Sequence, residues 1–220
     1  MPGMPESDAP VRLHDYFRSS ASYRVRIALN LKGVAYESVS VDLRTGEQRD
    51  AGYRALNPQG FVPMLEMDGL KLNQSLAIID YLDARVPEPR FVSRDPATRS
   101  RQLALALMIA CDIHPLNNLR VLHYLKRELG VEEPARDDWY RHWVREGLVA
   151  LEAMAAEQDG QYLGGDTPCI ADICLVPQIY NARRFEVALH DFPNLVAVDA
   201  ALTALPAFAA AHPDAVAPAG

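Results

Sequence analysis

A guanidinium and two hydroxyls stand in a row at Arg18-Ser19-Ser20, between a short apolar stretch and an amphipathic one. Residues 11–17 read as a strand. Residues 20–32 read as a helix with Val25, Ala28 and Leu29 on one face, and Gly33 is a suitable left-handed stop. A strand-to-helix turn of this kind presents unpaired backbone N–H groups and the positive end of a helix dipole, so its chemistry is the holding of an anion. Lone arginines are usually solvated, but Arg18 lies in the loop itself.

Two further pairs carry chemistry. Pro63 follows Val62 inside an apolar stretch, where a proline removes a ladder donor. Either it marks an edge, or a cis bond turns the Val62 backbone outward to pair with an extended, peptide-like ligand. Gln74-Ser75 precedes a helical pattern. Ser75 is a natural cap and nothing more, or it helps the first free N–H groups to capture a ligand carboxylate. With Val62-Pro63 nearby, the second reading gains: a backbone rail lies beside a carboxylate socket.

Most other polar residues read as structural. His14, His123, His142, His190 and His212 lack the spacing of metal ligands. Cys111 and Cys174 fall on apolar helical stripes and read as core. Trp139 and Trp143, four apart, read as packing on one helix face. Three cysteines are an odd number without a Cys-x-x-Cys, which excludes a disulfide framework, a zinc knuckle and a dithiol centre, and suggests a cytoplasmic setting.

The elements that must position these groups change character along the chain. After the first strand and helix, residues 38–43 alternate polar and apolar as a strand with one buried face. Strand–helix–strand makes a right-handed parallel unit. Residues 44–56 read as a loop with a short irregular helix, Asn57-Pro58-Gln59-Gly60 as a turn, and residues 61–67 as a strand. Asp68-Gly69 reads as a hairpin turn to residues 70–72, and a helix follows with Ile78, Ile79 and Leu82. This is a thioredoxin-like layout. Val86 to Arg90 reads as a linker. Beyond Pro96 only helical patterns recur: 97–129 broken at Pro115, 135–158, 170–185 and 194–205, with Leu103, Leu107, Ala110 and Cys111 as the inward stripe of the first. An Ala/Pro-rich tail runs from 207 to 220. The expected fold is α+β: a thioredoxin-like domain at 11–86, an all-α domain at 97–215, and a disordered tail at 1–10 that lacks the pattern of a signal peptide.

A net charge of −7 argues against nucleic acid as a partner. No apolar run approaches the ~18 residues of a membrane span.

From Ser19 to Gly33 the sequence resembles the signature of the zeta-class glutathione transferases. Asn57-Pro58, Val62-Pro63, residues 74–79, Asp112-Ile113-His114-Pro115-Leu116 and Leu175-Val176-Pro177-Gln178 follow in that family's order, so the likeness spans about residues 11–213. The resemblance implies a thioredoxin-like domain, a helical domain, a homodimer and glutathione as cofactor. It also implies a small dicarboxylate substrate. The family includes isomerases of maleylacetoacetate, in tyrosine and phenylalanine breakdown, and of maleylpyruvate, in gentisate breakdown; conjugation and haloacid processing are its other activities. By the match, Ser19 and Ser20 are the thiolate-activating serines. Gln48, Val62, Gln74 and Ser75 hold glutathione, His114 and Asn118 reach it from the helical domain, and Arg18, Arg120 and Arg184 grip substrate carboxylates. Ser19→Ala is expected to cut turnover with little effect on stability. Two departures stand out. Ala21 replaces a cysteine common in the family, leaving the serines without a neighbouring thiol. Cys169 in Cys169-Ile170-Ala171-Asp172 replaces a capping Ser or Thr, which weakens that cap by about 0.5–1 kcal/mol.

Overall fold

The structure, a computed structural model, describes residues 10–218. Apart from Pro10, the expected N-terminal tail lies outside them. The chain divides into two units: one holds the described residues up to Pro89 together with those from Pro206 onward, and the other is Arg90–Leu205.

In the first unit four strands form a sheet in the order β2-β1-β3-β4, with β1 at Arg12–Asp15, β2 at Glu37–Ser40, β3 at Met64–Met67 and β4 at Leu70–Asn73. β1 pairs parallel with β2 and antiparallel with β3. Helix α1, Ser20–Leu31, is the crossover between the parallel pair, as the sequence order demands. It ends at Gly33, whose φ of +64° suits glycine. Asp68 and Gly69, both at positive φ, make the two-residue β3–β4 turn with Met67 opposite Leu70. β2 is shorter than the alternation implied and is mostly exposed, because it is an edge strand; its apolar contribution to the core is Val41, just past its end.

Helix α3, Ser75–Arg85, packs against α1, and Ile27, Leu29, Ile78, Ile79 and Leu82 are fully buried with Leu13, Met64 and Leu65 of the sheet. Lys32, at the foot of α1, donates to Asp83 of α3 at 2.8 Å and to the Val86 and Pro89 carbonyls at 2.6 Å, which fastens the start of the linker.

The C-terminal stretch corrects the expected domain boundary. Residues 206–215 belong with the sheet unit rather than with the helical domain, and the Ala/Pro-rich segment is two short helices, α9 (Pro206–Ala211) and α10 (Pro213–Val216). Proline is compatible with the first turn of each, and alanine favours the helix. Helix α9 docks on α1 with Phe208 and Ala211 fully buried, and Asn30 donates to the Ala207 carbonyl at 2.9 Å.

The second unit is helical: α4 (Pro96–Leu107), α5 (Leu119–Arg127), α6 (Glu133–Ala155), α7 (Ile170–Arg184) and α8 (Pro193–Thr203). Between α4 and α5 run a π-helical turn, Met108–Ile113, and a 3₁₀ turn, His114–Asn117, where Pro115 was expected to break the pattern. The inward stripe of α4 is Gln102, Leu105, Ala106 and Ile109, continuing to Ile113, not the expected Leu103, Leu107, Ala110 and Cys111; Leu107 is 44% exposed and Cys111 is exposed. The helix is apolar on both faces and the wide π turn shifts the phase, so periodicity alone selects the wrong stripe. Cys174 is buried, as expected.

Helix α7 lies at the centre of this unit, apolar on nearly every side, and packs against α4 and α8. Asp172 fastens its start by accepting from the backbone N–H groups of Cys169 (2.8 Å), Leu163 (2.8 Å) and Gly164 (3.1 Å). Cys169 completes a capping box from its side. Burial pushes both the Cys169 thiol and the Asp172 carboxyl upward, and for Asp172 the backbone N–H groups oppose that rise.

Candidate active site

Ser19 is the N-cap of α1. Its Oγ accepts from the Ser22 N–H at 3.3 Å, and its own N–H donates to the Tyr16 carbonyl at 2.8 Å. A hydroxyl that accepts at the cap keeps its hydrogen for donation elsewhere. Ser19 has a structural role as this cap, so Ser19→Ala, expected to have little effect on stability, should cost about 1 kcal/mol. Ser20 is the first helical residue and is buried. Ser19 and Arg18 are both partly exposed. The Arg18 guanidinium lies 5.0 Å from the Phe17 ring and 6.0 Å from the Tyr16 ring, and donates to the Tyr16 hydroxyl at 3.2 Å. Two stacked contacts and one hydrogen bond fix its direction while leaving donors of the fork uncommitted.

Register brings the next elements to the same end of the sheet. His14 pairs with Met64 and Met64 with Asn73, so two residues further on Tyr16, Val62 and Ser75 stand level. Tyr16, Val41, Tyr53 and Val62 form a small buried cluster, with Phe17 and Leu43 packed on it. The Val62-Pro63 bond is cis. Its approach is held by two donors that sequence reading did not single out: the Tyr53 hydroxyl at 2.6 Å and Asn57 Nδ2 at 2.8 Å, both to the Phe61 carbonyl. Burial pushes the Tyr53 hydroxyl up to about 12, so it remains a donor at neutral pH. The Asn57-Pro58 turn signal was legible; its side-chain anchor was not.

Gln48 lies in a 3₁₀ turn, Glu47–Arg49, ahead of helix α2 (Ala51–Leu56). Its side chain is buried, and Oε1 has no hydrogen-bond partner in the protein. An orphaned acceptor of this kind fits a ligand N–H. Gly60, at φ +63°, holds this turn close: a Cβ there would meet the Gln48 carbonyl oxygen at 2.8 Å.

Ser75 is not the cap of α3. Gln74 occupies that position at φ +65°, without a side-chain cap bond, and its Nε2 donates to Gln59 Oε1 at 2.8 Å. Ser75 is the first helical residue, and its Oγ receives Arg24 Nη1 of α1 at 3.4 Å. The start of α3 thus lacks a side-chain cap of its own, which suits a carboxylate acceptor from outside.

In the helical unit, His114 opens the 3₁₀ turn and Asn118 caps α5 by accepting from the Val121 N–H at 3.3 Å. Arg120 is exposed on α5. Arg184 ends α7, with its guanidinium 5.8 Å from the Tyr180 ring and 5.5 Å from the Phe185 ring. It lines a cavity of about 570 Å³ with His123, Lys126, Arg136 and Arg141, on whose wall Glu133, Asp137 and Glu186 also stand. Phe185 is itself stacked on Tyr140 at 3.6 Å, which stiffens this wall. Trp139 and Trp143 pack edge to face, and Trp139 Nε1 donates to the Leu116 carbonyl at 2.8 Å, tying α6 to the 3₁₀ turn. Among the described residues no group of three or more His, Cys, Asp or Glu could hold a metal ion, and no helix is long and apolar enough to cross a membrane.

Residues 13–90 match the family model described as glutathione S-transferase, N-terminal domain. A probable maleylacetoacetate isomerase of Vibrio cholerae is 49% identical over 92% of this chain and 95% of its own. A holo structure of maleylpyruvate isomerase, described as a bacterial glutathione S-transferase in zeta class, is 44% identical with a TM-score of 0.93, covering 95% of this chain and all of its own. A maleylacetoacetate isomerase of Anaeromyxobacter dehalogenans, solved with dicarboxyethyl glutathione and citrate in the active site, is 41% identical with a TM-score of 0.85, over 96% of this chain and 98% of its own.

Proposed function

The chain belongs to the zeta-class glutathione transferases, and from that premise we propose that it is a glutathione-dependent cis–trans isomerase converting 4-maleylacetoacetate to 4-fumarylacetoacetate in tyrosine and phenylalanine breakdown. The observation that carries this reading is Ser19, a hydroxyl capping α1 with its hydrogen still to give. Glutathione, once bound, supplies a thiolate whose addition to the cis C=C lets that bond turn and whose departure restores it as trans, so glutathione is regenerated.

The residues divide the remaining work. Ser19 O–H and the positive end of α1, with Ser20 beside it, favour the thiolate at neutral pH. Gln48 Oε1 accepts a ligand N–H, Val62 offers its backbone as a rail, and Gln74, Ser75 and the first N–H groups of α3 hold the γ-glutamyl end. By the family match, His114 and Asn118 are assigned to glutathione, and Arg18, Arg120 and Arg184 to substrate carboxylates, for which a planar guanidinium is matched. In support, the ligand named in the Anaeromyxobacter structure is glutathione bearing a saturated two-carboxyl unit.

Exposed Leu107 and Cys111, with half-buried Leu103 on the same side of α4 and its π turn, support a homodimer, since an apolar face gains most by being covered. Three cysteines held as thiols fit a cytoplasmic setting. The second reading is maleylpyruvate as the true substrate, which the likeness to that isomerase favours. Values of kcat/KM measured side by side on the two diacids decide between them; conjugation of chlorodinitrobenzene without turnover of either diacid would contradict both.

A further inference from the structure

We propose that Arg26 is the positioning residue of the thiolate site, and that the C-terminal segment Pro206–Val216 acts on the site through it. Arg26 is among the largest fully buried side chains of the protein. Its Nη1 donates to both Asp15 oxygens at 2.8 Å, its Nη2 to the Phe17 carbonyl at 2.9 Å, and its Nε to the Ala211 carbonyl at 3.0 Å. One planar fork thus joins the end of β1, the active loop and the last residue of α9.

The loop bond matters most. The Phe17 carbonyl lies two residues before Ser19, outside the sheet ladder, and a carbonyl there must find a donor. Arg26 is that donor. The orientation of the Phe17–Arg18 peptide, and with it the direction of Ser19 Oγ, follows from where the guanidinium sits. Asp15 on β1 and Ala211 on α9 fix that position. Tyr23, with its ring 5.2 Å from the guanidinium, and Tyr36 complete the ionisable surroundings. Asn30 holds α9 from the other end, through Ala207. A lysine at position 26 carries the charge but cannot span three sets of acceptors.

This inference rests on the proposed function for the identity of the anion. The test compares three variants of the full chain: Arg26→Lys, Asn30→Ala, and Lys32→Gln as a control. Lys32, just past the end of the same helix, is also buried but faces Asp83 and the linker instead of the loop. The readout is the pKa of the bound glutathione thiol, followed by thiolate ultraviolet absorption, together with kcat/KM at neutral pH. Arg26→Lys should raise the bound thiol pKa by about one unit and lower kcat/KM roughly tenfold. Asn30→Ala should shift the pKa in the same direction by less, and Lys32→Gln should leave it unchanged however much stability it loses. An unchanged thiol in Arg26→Lys, or an equal shift in Lys32→Gln, overturns the inference. If Arg26→Lys does not fold, the absence of any shift in Asn30→Ala overturns it. A wild-type thiol no more acidic when bound than when free would instead overturn the functional reading.

Discussion

Replacing Ser19 by alanine and by glycine separates its two jobs. Alanine removes the cap bond to the Ser22 N–H and should cost about 1 kcal/mol, or roughly 2–4 °C in Tm for a chain of this size. Glycine is tolerated at an N-cap and should cost only a few tenths of that. Both remove the same hydroxyl donor from the thiolate. A hydrogen bond to a charged group contributes about 1.5–3 kcal/mol, which corresponds to a rise of about 1–2 units in the bound thiol pKa. Turnover should therefore fall in both variants, by about ten- to a hundredfold at a pH below the wild-type thiol pKa and by less at neutral pH. The sign with pH is fixed as well. The hydroxyl lowers the thiol pKa, so the deficit is full below the wild-type pKa, shrinks as pH rises past it, and vanishes above the variant's pKa. The assay is a thermal melt paired with kcat/KM from mildly acidic to mildly alkaline pH. Two outcomes would refute the reasoning: full turnover in either variant, or an activity loss that tracks the melting temperature, severe in alanine and slight in glycine.

Three other perturbations probe separate parts of the account. Arg184→Ala should raise KM for the diacid more than it lowers kcat, because the arginine grips carboxylates present before and after reaction; the reverse pattern would argue for a transition-state role. Gly60→Ala puts a side chain at φ +63° against the Gln48 carbonyl, so it should lower Tm and weaken glutathione binding measured by calorimetry, more than Gly33→Ala, whose Cβ meets nothing within 4 Å. Asp95 caps α4, and its bonds from Thr98 hold its carboxyl below the ordinary 3.8. Its contribution should be complete above that pH and disappear as pH falls through the lowered value, so melts of Asp95→Ala and wild type should converge in acid.

The site was most legible where chemistry is local. Ser19 and Gly33 bracket α1 because a cap and a left-handed stop are set by single residues, and Asp68-Gly69 specifies its turn in the same way. Ser75 misled by one position, since the backbone of Gln74, at positive φ, takes the cap place while nothing in the residue type announces it. Groups whose partners lie far along the chain were silent. Arg26 reads as one more polar residue of a helix until Asp15, Phe17 and Ala211 are brought to it across separations of up to 185 residues. The docking of α9 was hidden for the same reason, and alanine-rich composition gave no sign of it. The inward stripe of α4 was misread because apolar residues lie on both faces, so only packing could choose.

The central claim is that this chain turns a cis diacid over with glutathione as catalyst. The most direct measurement follows purified protein, 4-maleylacetoacetate and substoichiometric glutathione together by proton NMR. Complete conversion to the trans diacid is expected, with every equivalent of free glutathione still present at the end and no conversion when it is left out. Glutathione consumed in proportion to product, or isomerisation that proceeds without it, would contradict the account.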